Sequence, residues 1–317
     1  MKKLRRILVA IADLQNAHGS VLRRAAALAR ATGARVELFH AVARPMMGSR
    51  RIGSQLLAVQ LTPEESLILA QKNLESIARS KPLQGCHVQA VAVADKPAHE
   101  AIVRRALATH ADLIISGTRS RGLADRLVLR HTDWELVRRS PIPLLLVKSV
   151  RSRSKAVVLA AIDPLHANAK PARLDGEILD AASAMSVILK GTLHAVHVYV
   201  PLSIMLAAGI GEPVVWNTTE LDANYTQRVK REFTRVLRAT QIPLRRRHLL
   251  VGSAAPELAA CAARIRASLV VMGAVSRSRL ERLLIGNTAE HVLDELDCDV
   301  LIVKPPGFKS PGAAQKI

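Results

Sequence analysis

Aromatic side chains are scarce in this chain: Phe, Trp and Tyr together make up 2% of 317 residues. Proteins that grip single-stranded nucleic acid stack its bases on aromatic platforms, and this composition leaves little to build one from. Cysteine is almost as rare. Cys86, Cys261 and Cys298 are odd in number, scattered and without C-x-x-C spacing, which gives no metal site and suits a reducing compartment. No apolar run approaches the ~20 residues that cross a bilayer; "IPLLLV" at 142–147 has the length of a strand. The opening "MKKLRRILVAIAD" has the basic-then-apolar order of a signal peptide. Its apolar part is short, runs into Asp13 and offers no small-residue cleavage site, so it reads as a first strand with a basic lead-in. These absences predict a cytoplasmic protein with no membrane segment. Enzyme signatures are missing too. There is no G-x-S-x-G nucleophile elbow, no G-x4-G-K-[ST] phosphate loop and no G-x-G-x-x-G after a first strand. His194 and His197 lie three apart on a predicted strand, face opposite sides and cannot easily share a metal; they read as satisfied or surface histidines, and no metal is expected.

What the chain has in excess is positive charge. Lys and Arg number 46 against 26 Asp and Glu, a formal net charge of +20. Such a balance raises affinity for polyanions and speaks to association, not to fold. It keeps nucleic acid open as a partner, although no zinc-finger spacing or RNA-recognition motif supports one. The arginines come as dispersed pairs, such as Arg23-Arg24, Arg104-Arg105 and Arg138-Arg139, the distribution of a solvated surface.

The chain also repeats itself. "ADLIISGTRSRGLADRLVLRHTDWELVRRSPIPLLLVK" (111–148) aligns without a gap on "ASLVVMGAVSRSRLERLLIGNTAEHVLDELDCDVLIVK" (267–304), with eleven of 38 positions identical at an offset of 156. "ILVAIAD" (7–13) and "VVLAAID" (157–163) match at an offset of 150. Repeats of this length are whole domains, not solenoid units of ~20–50 residues. The basic linker "SVRSRSK" (149–155) divides domain 1, residues 1–150, from domain 2, residues 151–306, and the Pro- and Gly-rich stretch 307–317 reads as a flexible tail. Apolar runs alternate with amphipathic segments in each half. Strands are predicted near 5–12, 35–42, 87–93, 111–116 and 143–148, with helices near 18–32, 63–80, 98–109 and 124–139. The second half gives strands near 156–162, 192–200, 246–252, 267–273 and 299–304, with helices near 172–189, 218–240, 255–265 and 288–295. This alternation predicts two tandem α/β domains, each a doubly wound parallel sheet. Ligands of such sheets bind beyond the carboxyl ends of the strands, where the strand order switches. The apolar segment 201–222, "PLSIMLAAGIGEPVVWNTTELD", follows the second strand at that end and reads as a cover over the sheet or as the wall of a small-molecule cavity.

A first strand ending in Asp, a fourth ending in Gly, and a G-x2-G-x9-G-[ST] spacing before the last helix resemble the universal stress protein family. The duplication, with "HTDW" in one half and "GNTAEHV" in the other, is similar to its tandem-domain E type. The resemblance implies five-stranded parallel sheets in the order 3-2-1-4-5 with helices on both faces. It also implies an intrachain pseudo-dimer through the last strands, 144–147 and 300–303, and leaves a homodimer open. Family members either keep the glycine motif and bind nucleotide or have lost it. In domain 2, Gly273 and Gly286 keep the motif, while Ser276 replaces its second glycine and Asn287 its Ser/Thr, with Thr288 next. Asn287 to Glu290 also has capping-box spacing, which satisfies a helix start without a ligand. Asp163 and Val198 fall where the family contacts nucleoside and adenine; the turn and the core are their structural alternatives. Arg277, Arg279 and Arg282 surround the loop. Domain 1 keeps Asp13, Gly117 and Ser120, but Arg130 and His131 replace the last two motif residues, and "TDWE" (132–135) again has capping-box spacing. The reading is a non-enzymatic stress-response protein that requires no cofactor and has a degenerate ligand pocket in domain 2. ATP binding through domain 2 and polyanion binding through the basic surface are the alternatives.

Overall fold

The computed structural model describes residues 4–15, 19–52, 55–117, 119–120, 127–128, 131–148, 155–166, 173–207, 218–274 and 287–308. The side chains of 49–52, 55–57, 119–120, 127–128, 205–207, 218, 287 and 288 are outside that description. The chain divides into two compact units, drawn principally from Lys2–Ser120 with Val128–Val150 and from Arg151–Phe308.

The first unit runs β1 (Arg6–Ala10), α1 (Gly19–Thr32), β2 (Arg35–Ala41), β3 (Met47–Ile52), β4 (Gln55–Gln60), α2 (Pro63–Ala78), β5 (Val88–Val93), α3 (Ala98–Ala108), β6 (Leu113–Gly117), β7 (Arg119–Ser120), β8 (Leu127–Val128), α4 (His131–Arg139) and β9 (Leu144–Val147). The second runs β10 (Val157–Ala161), α5 (Leu174–Ile188), β11 (Thr192–Tyr199), α6 (Leu202–Ala207), α7 (Thr218–Val236), β12 (Arg247–Val251), α8 (Ala254–Arg264), β13 (Leu269–Gly273), α9 (Asn287–Glu295) and β14 (Asp299–Val303). The main sheet of the first unit has the order β5-β2-β1-β6-β9 and that of the second β12-β11-β10-β13-β14. Every pairing within each sheet is parallel. Renumbered within a domain, both are 3-2-1-4-5.

The central strands are apolar on both faces because helices flank the sheet on both sides. Ile7, Leu8 and Val9 of β1 and Leu113, Ile114 and Ile115 of β6 are buried, as are Val158, Leu159 and Ala160 of β10. Polar residues fix the strand starts. Asp112 Oδ2 accepts from the backbone N–H groups of Arg5 (2.8 Å) and Arg6 (3.0 Å). At the matching place in the second unit, Ser268 Oγ accepts from Val157 N at 3.0 Å. The fourth strand thus clamps the first in each domain. Helix α2 starts with a capping box: Thr62 Oγ1 accepts from Glu65 N (3.2 Å) and Glu65 Oε2 accepts from Thr62 N (2.8 Å).

Two local expectations change. A helix predicted from residue 124 begins at His131, and Leu127–Val128 are extended; short apolar runs carry no period that separates helix from strand. Thr132 therefore lies inside α4, and Glu135 does not complete a box with it. The Glu135 carboxylate instead accepts from Arg138 (2.9 Å) and Arg139 (2.6 Å). The antiparallel pair β3 and β4, with Ile52 opposite Gln55, occupies a stretch to which the sequence reading assigns no element. The part of the predicted tail that is described, Gly307 and Phe308, forms a turn in which Phe308 N–H donates to Pro305 O at 3.2 Å.

Candidate functional site

In both domains the first strand ends beside a histidine of the second. His40 Nδ1 lies 2.7 Å from the carbonyl oxygen of Ile11, and His197 Nδ1 lies 3.1 Å from that of Ile162. Burial lowers the pKa of His40, opposed by the Ile11 carbonyl and by Asp13. These bonds satisfy the strand-end carbonyls and set the turn that carries the acid.

In domain 2 that acid, Asp163, sits with its Oδ1 3.8 Å from His197 Nδ1, and its backbone N–H donates to Asp175 Oδ1 at 3.1 Å. An aromatic cluster stands next to it. The His197 ring is 6.4 Å from that of Tyr199 and 6.3 Å from that of Phe233, and the Tyr199 and Tyr225 rings are 6.1 Å apart. Tyr199 OH donates to Thr226 Oγ1 at 3.3 Å. Burial, reinforced by the Asp163 charge, pushes the Tyr225 phenol up from its ordinary pKa. Helix α7 brings Tyr225 and Phe233 in because Tyr225, Val229, Phe233 and Leu237 recur every four residues on one face. Both tyrosines of the chain therefore meet at the carboxyl end of one sheet. Sequence reasoning missed this cluster. The only signal for it was that two rare residues occur at a strand end and on the next long helix.

Of the motif residues in domain 2, Gly273 is fully described. Gly273 ends β13, and a Cβ there would come within 2.8 Å of Leu174 Cδ2 at the start of α5. A leucine side chain thus occupies the space that glycine leaves open. Lys304 Nζ donates to the carbonyl of Ala274, the next residue, and lies 4.8 Å from the centre of the Phe308 ring. Its burial pushes its pKa down to about 7. Ser276, Gly286, Arg277, Arg279 and Arg282 lie outside the described residues. Asn287 and Thr288 open α9, and their side chains lie outside the description as well. Val198 is half-buried in β11, on the opposite strand face from His197 and Tyr199. The structure therefore does not bring it into the aromatic cluster. Of the segment 201–222, residues 208–217 lie outside the described residues. Its start is tied to α7: Ser203 N–H and Oγ donate to the Asp222 carboxylate at 2.9 and 2.5 Å, which holds that carboxyl below its ordinary pKa.

Domain 1 differs at the same end. Gly117 ends β6 and Ser120 lies in β7. Beneath them, Ser116 Oγ donates to Asp133 Oδ1 at 2.6 Å, with both side chains buried. The repeat partners of this pair at an offset of 156 are Met272 and Ala289. Domain 1 therefore buries an acid in the first turn of α4, where domain 2 has Ala289. The two strand-end acids are also not level. Val9 pairs with Ile115 and Ala160 with Val271; residues 115 and 271 are 156 apart, so the first strands correspond at 151, not 150. Asp163 stands level with Ala12, and Asp13 lies one residue further on, where its Oδ1 accepts from Gln15 N at 3.0 Å. A one-residue slip turns a side chain to the other face of a strand.

The model of the universal stress protein family matches this chain twice, over residues 3–148 and 174–304. Universal stress protein E of Photorhabdus laumondii subsp. laumondii is 27% identical over 223 residues, 69% of this chain and 69% of its own length. A functionally unknown protein from Pseudomonas aeruginosa PAO1 is similar in structure, with a TM-score of 0.68 and 25% identity over 95% of this chain and 93% of that one. A universal stress protein from Archaeoglobus fulgidus DSM 4304 shares the fold at a TM-score of 0.63 and 16% identity, covering 94% and 98% of the two chains.

Proposed function

The chain belongs to the universal stress protein family, with two of its domains in tandem, and from that premise we propose a non-enzymatic, cytoplasmic stress-response protein whose second domain carries a ligand pocket altered from the nucleotide-holding form. The observation that carries this reading is Leu174. It packs against Gly273 on the side a Cβ would take, so the missing side chain is accounted for by this contact without a phosphate. Tyr225 beside Asp163 supports it, since an aromatic ring with its own burial stands next to the acid to which the family resemblance assigns the nucleoside. In domain 1, the buried Asp133 and the loss of the last glycine support a structural role.

Calorimetric titration of the whole chain with ATP and Mg²⁺ tests this. The expected result is no saturable binding that Asp163→Ala abolishes, and none of that kind after Ser276→Gly with Asn287→Ser. Tightening by the double substitution would favour the nucleotide-binding alternative, with Gly273, Gly286, Thr288 and Asp163 as its residues.

A second reading, polyanion binding, has its own observation. Arg228, Arg231, Arg235 and Arg238 recur at steps of three, four and three along α7 and the turn after it, and all are exposed. They form one stripe about 15 Å long, opposite the buried Val229, Phe233 and Leu237. Glu232, 2.6 Å from Arg235, is the acid of an ion pair on this stretch. A duplex nucleic-acid backbone, contacted through its phosphates, fits such a stripe without base recognition.

A further inference from the structure

The first domain has a cavity of about 360 Å³ at the amino-terminal ends of β1, β2 and β5, the opposite end of the sheet from Asp13 and Gly117. Three arginines line it: Arg6, Arg35 and Arg105. Arg6 and Arg35 are direct partners in the parallel register. Like charges placed opposite each other on adjacent strands destabilise a sheet, so this pairing has a cost that the fold does not require. The second domain demonstrates that. Its corresponding register pair is Val157 and Thr192, and the positions matching Glu37 and Arg105 are His194 and Cys261.

Two of the guanidiniums are held in place. Arg105 Nε and Nη2 donate to the two oxygens of Glu37 at 2.7 and 3.0 Å, and Arg6 Nη1 donates to the Thr109 carbonyl at 2.6 Å. Each keeps further N–H groups beyond these bonds. Arg35 is exposed and makes no side-chain hydrogen bond or ion pair among the described residues. Glu37 offsets one of the three charges, which leaves a net of two. His87 and Val88 complete the outer wall.

We propose that this cavity is an anion site for a small phosphate-bearing molecule, distinct from the carboxyl-end pocket and confined to domain 1. A dianion would neutralise the net charge of two. It would bridge the opposed Arg6 and Arg35 and receive charge-assisted hydrogen bonds from guanidiniums whose geometry suits phosphate oxygens. The cavity has room for an organic group beyond the phosphate.

The test is titration of the whole chain with phenyl phosphate and, separately, with inorganic phosphate, followed by isothermal calorimetry. The expected result is saturable binding of one phenyl phosphate per chain. Arg35→Gln, at an exposed position without a partner, should weaken it about tenfold, the effect of one lost charge-assisted bond. Arg44→Gln, exposed just beyond the carboxyl end of β2 and so at the opposite end of the sheet, should leave it unchanged. Equal binding of inorganic phosphate would assign the site to the free anion, and preference for the ester would assign it to an organic phosphate; both support the site. Affinity that is equal in the parent and Arg35→Gln chains, or lost equally in Arg44→Gln, would overturn it. Arg35 belongs to the first unit and α7 and Asp163 to the second, so the Arg35→Gln comparison reads this cavity and not the carboxyl end or the stripe of domain 2.

Discussion

Single residues decide which parts of the family's site survive. Gly273 stands out in the sequence by its spacing alone, and nothing local to it reveals that Leu174, almost a hundred residues earlier, fills the space beside it. Asp13 and Asp163 align by sequence because both follow an apolar run; only the strand register separates them by one residue. His194 and His197 were correctly read as facing opposite sides. Their partners were not readable, because strand-to-strand contacts lie outside any local period. His194 Nδ1 sits 3.0 Å from His248 Nε2, with the rings stacked 5.3 Å apart. Burial first, then the His248 and Arg246 charges, lower the pKa of His194 to about 4, and burial also lowers that of His248. His194 is thus neutral in the fold at a pH where the unfolded chain, with a pKa near 6.5, already binds a proton. Its contribution to stability is complete above that value and is lost as pH falls from about 6.5 towards 4. With a discount for partial exposure, the loss is about 1–2 kcal/mol. His194→Val should therefore flatten the fall in urea midpoint between pH 7 and pH 5. An unchanged slope would mean that the pair does not titrate in this way.

Elements were more legible than residues. The parallel strands and most helices follow from apolar runs alternating with amphipathic stretches, and the five-strand order follows from the family resemblance. The boundary of α4 was not legible, because "LVL" before it suits either conformation. Helix α7 was predicted, yet its two faces have consequences that the sequence reading did not draw. Dispersed arginine pairs suggested an even coat of charge, whereas the helical period gathers Arg228, Arg231, Arg235 and Arg238 into one line. If that line contacts duplex phosphates, the charge-reversing pair Arg231→Glu and Arg235→Glu should weaken binding of a short DNA duplex at least tenfold. It should also make the dependence of log affinity on log salt shallower by about two, one unit per lost contact. Fluorescence anisotropy at several salt concentrations would show this. Unaltered affinity and slope would move any polyanion contact away from α7.

At the scale of the molecule, one fold has been built twice from diverging sequence. At the carboxyl end of domain 2 Asp163 stands beside Tyr225, and Gly273 packs against Leu174. Domain 1 buries an acid at that end and collects arginines at the other. Among the described residues no helix is long and apolar enough to cross a membrane. We propose that the carboxyl end of domain 2 does not hold a nucleotide in the family's manner. Native mass spectrometry of freshly purified protein, followed by denaturing analysis of whatever is released, tests it most directly. The account predicts the bare chain or a bound molecule that is not a nucleoside phosphate. One ATP, ADP or AMP per chain, lost on replacing Asp163 by Ala, would contradict it.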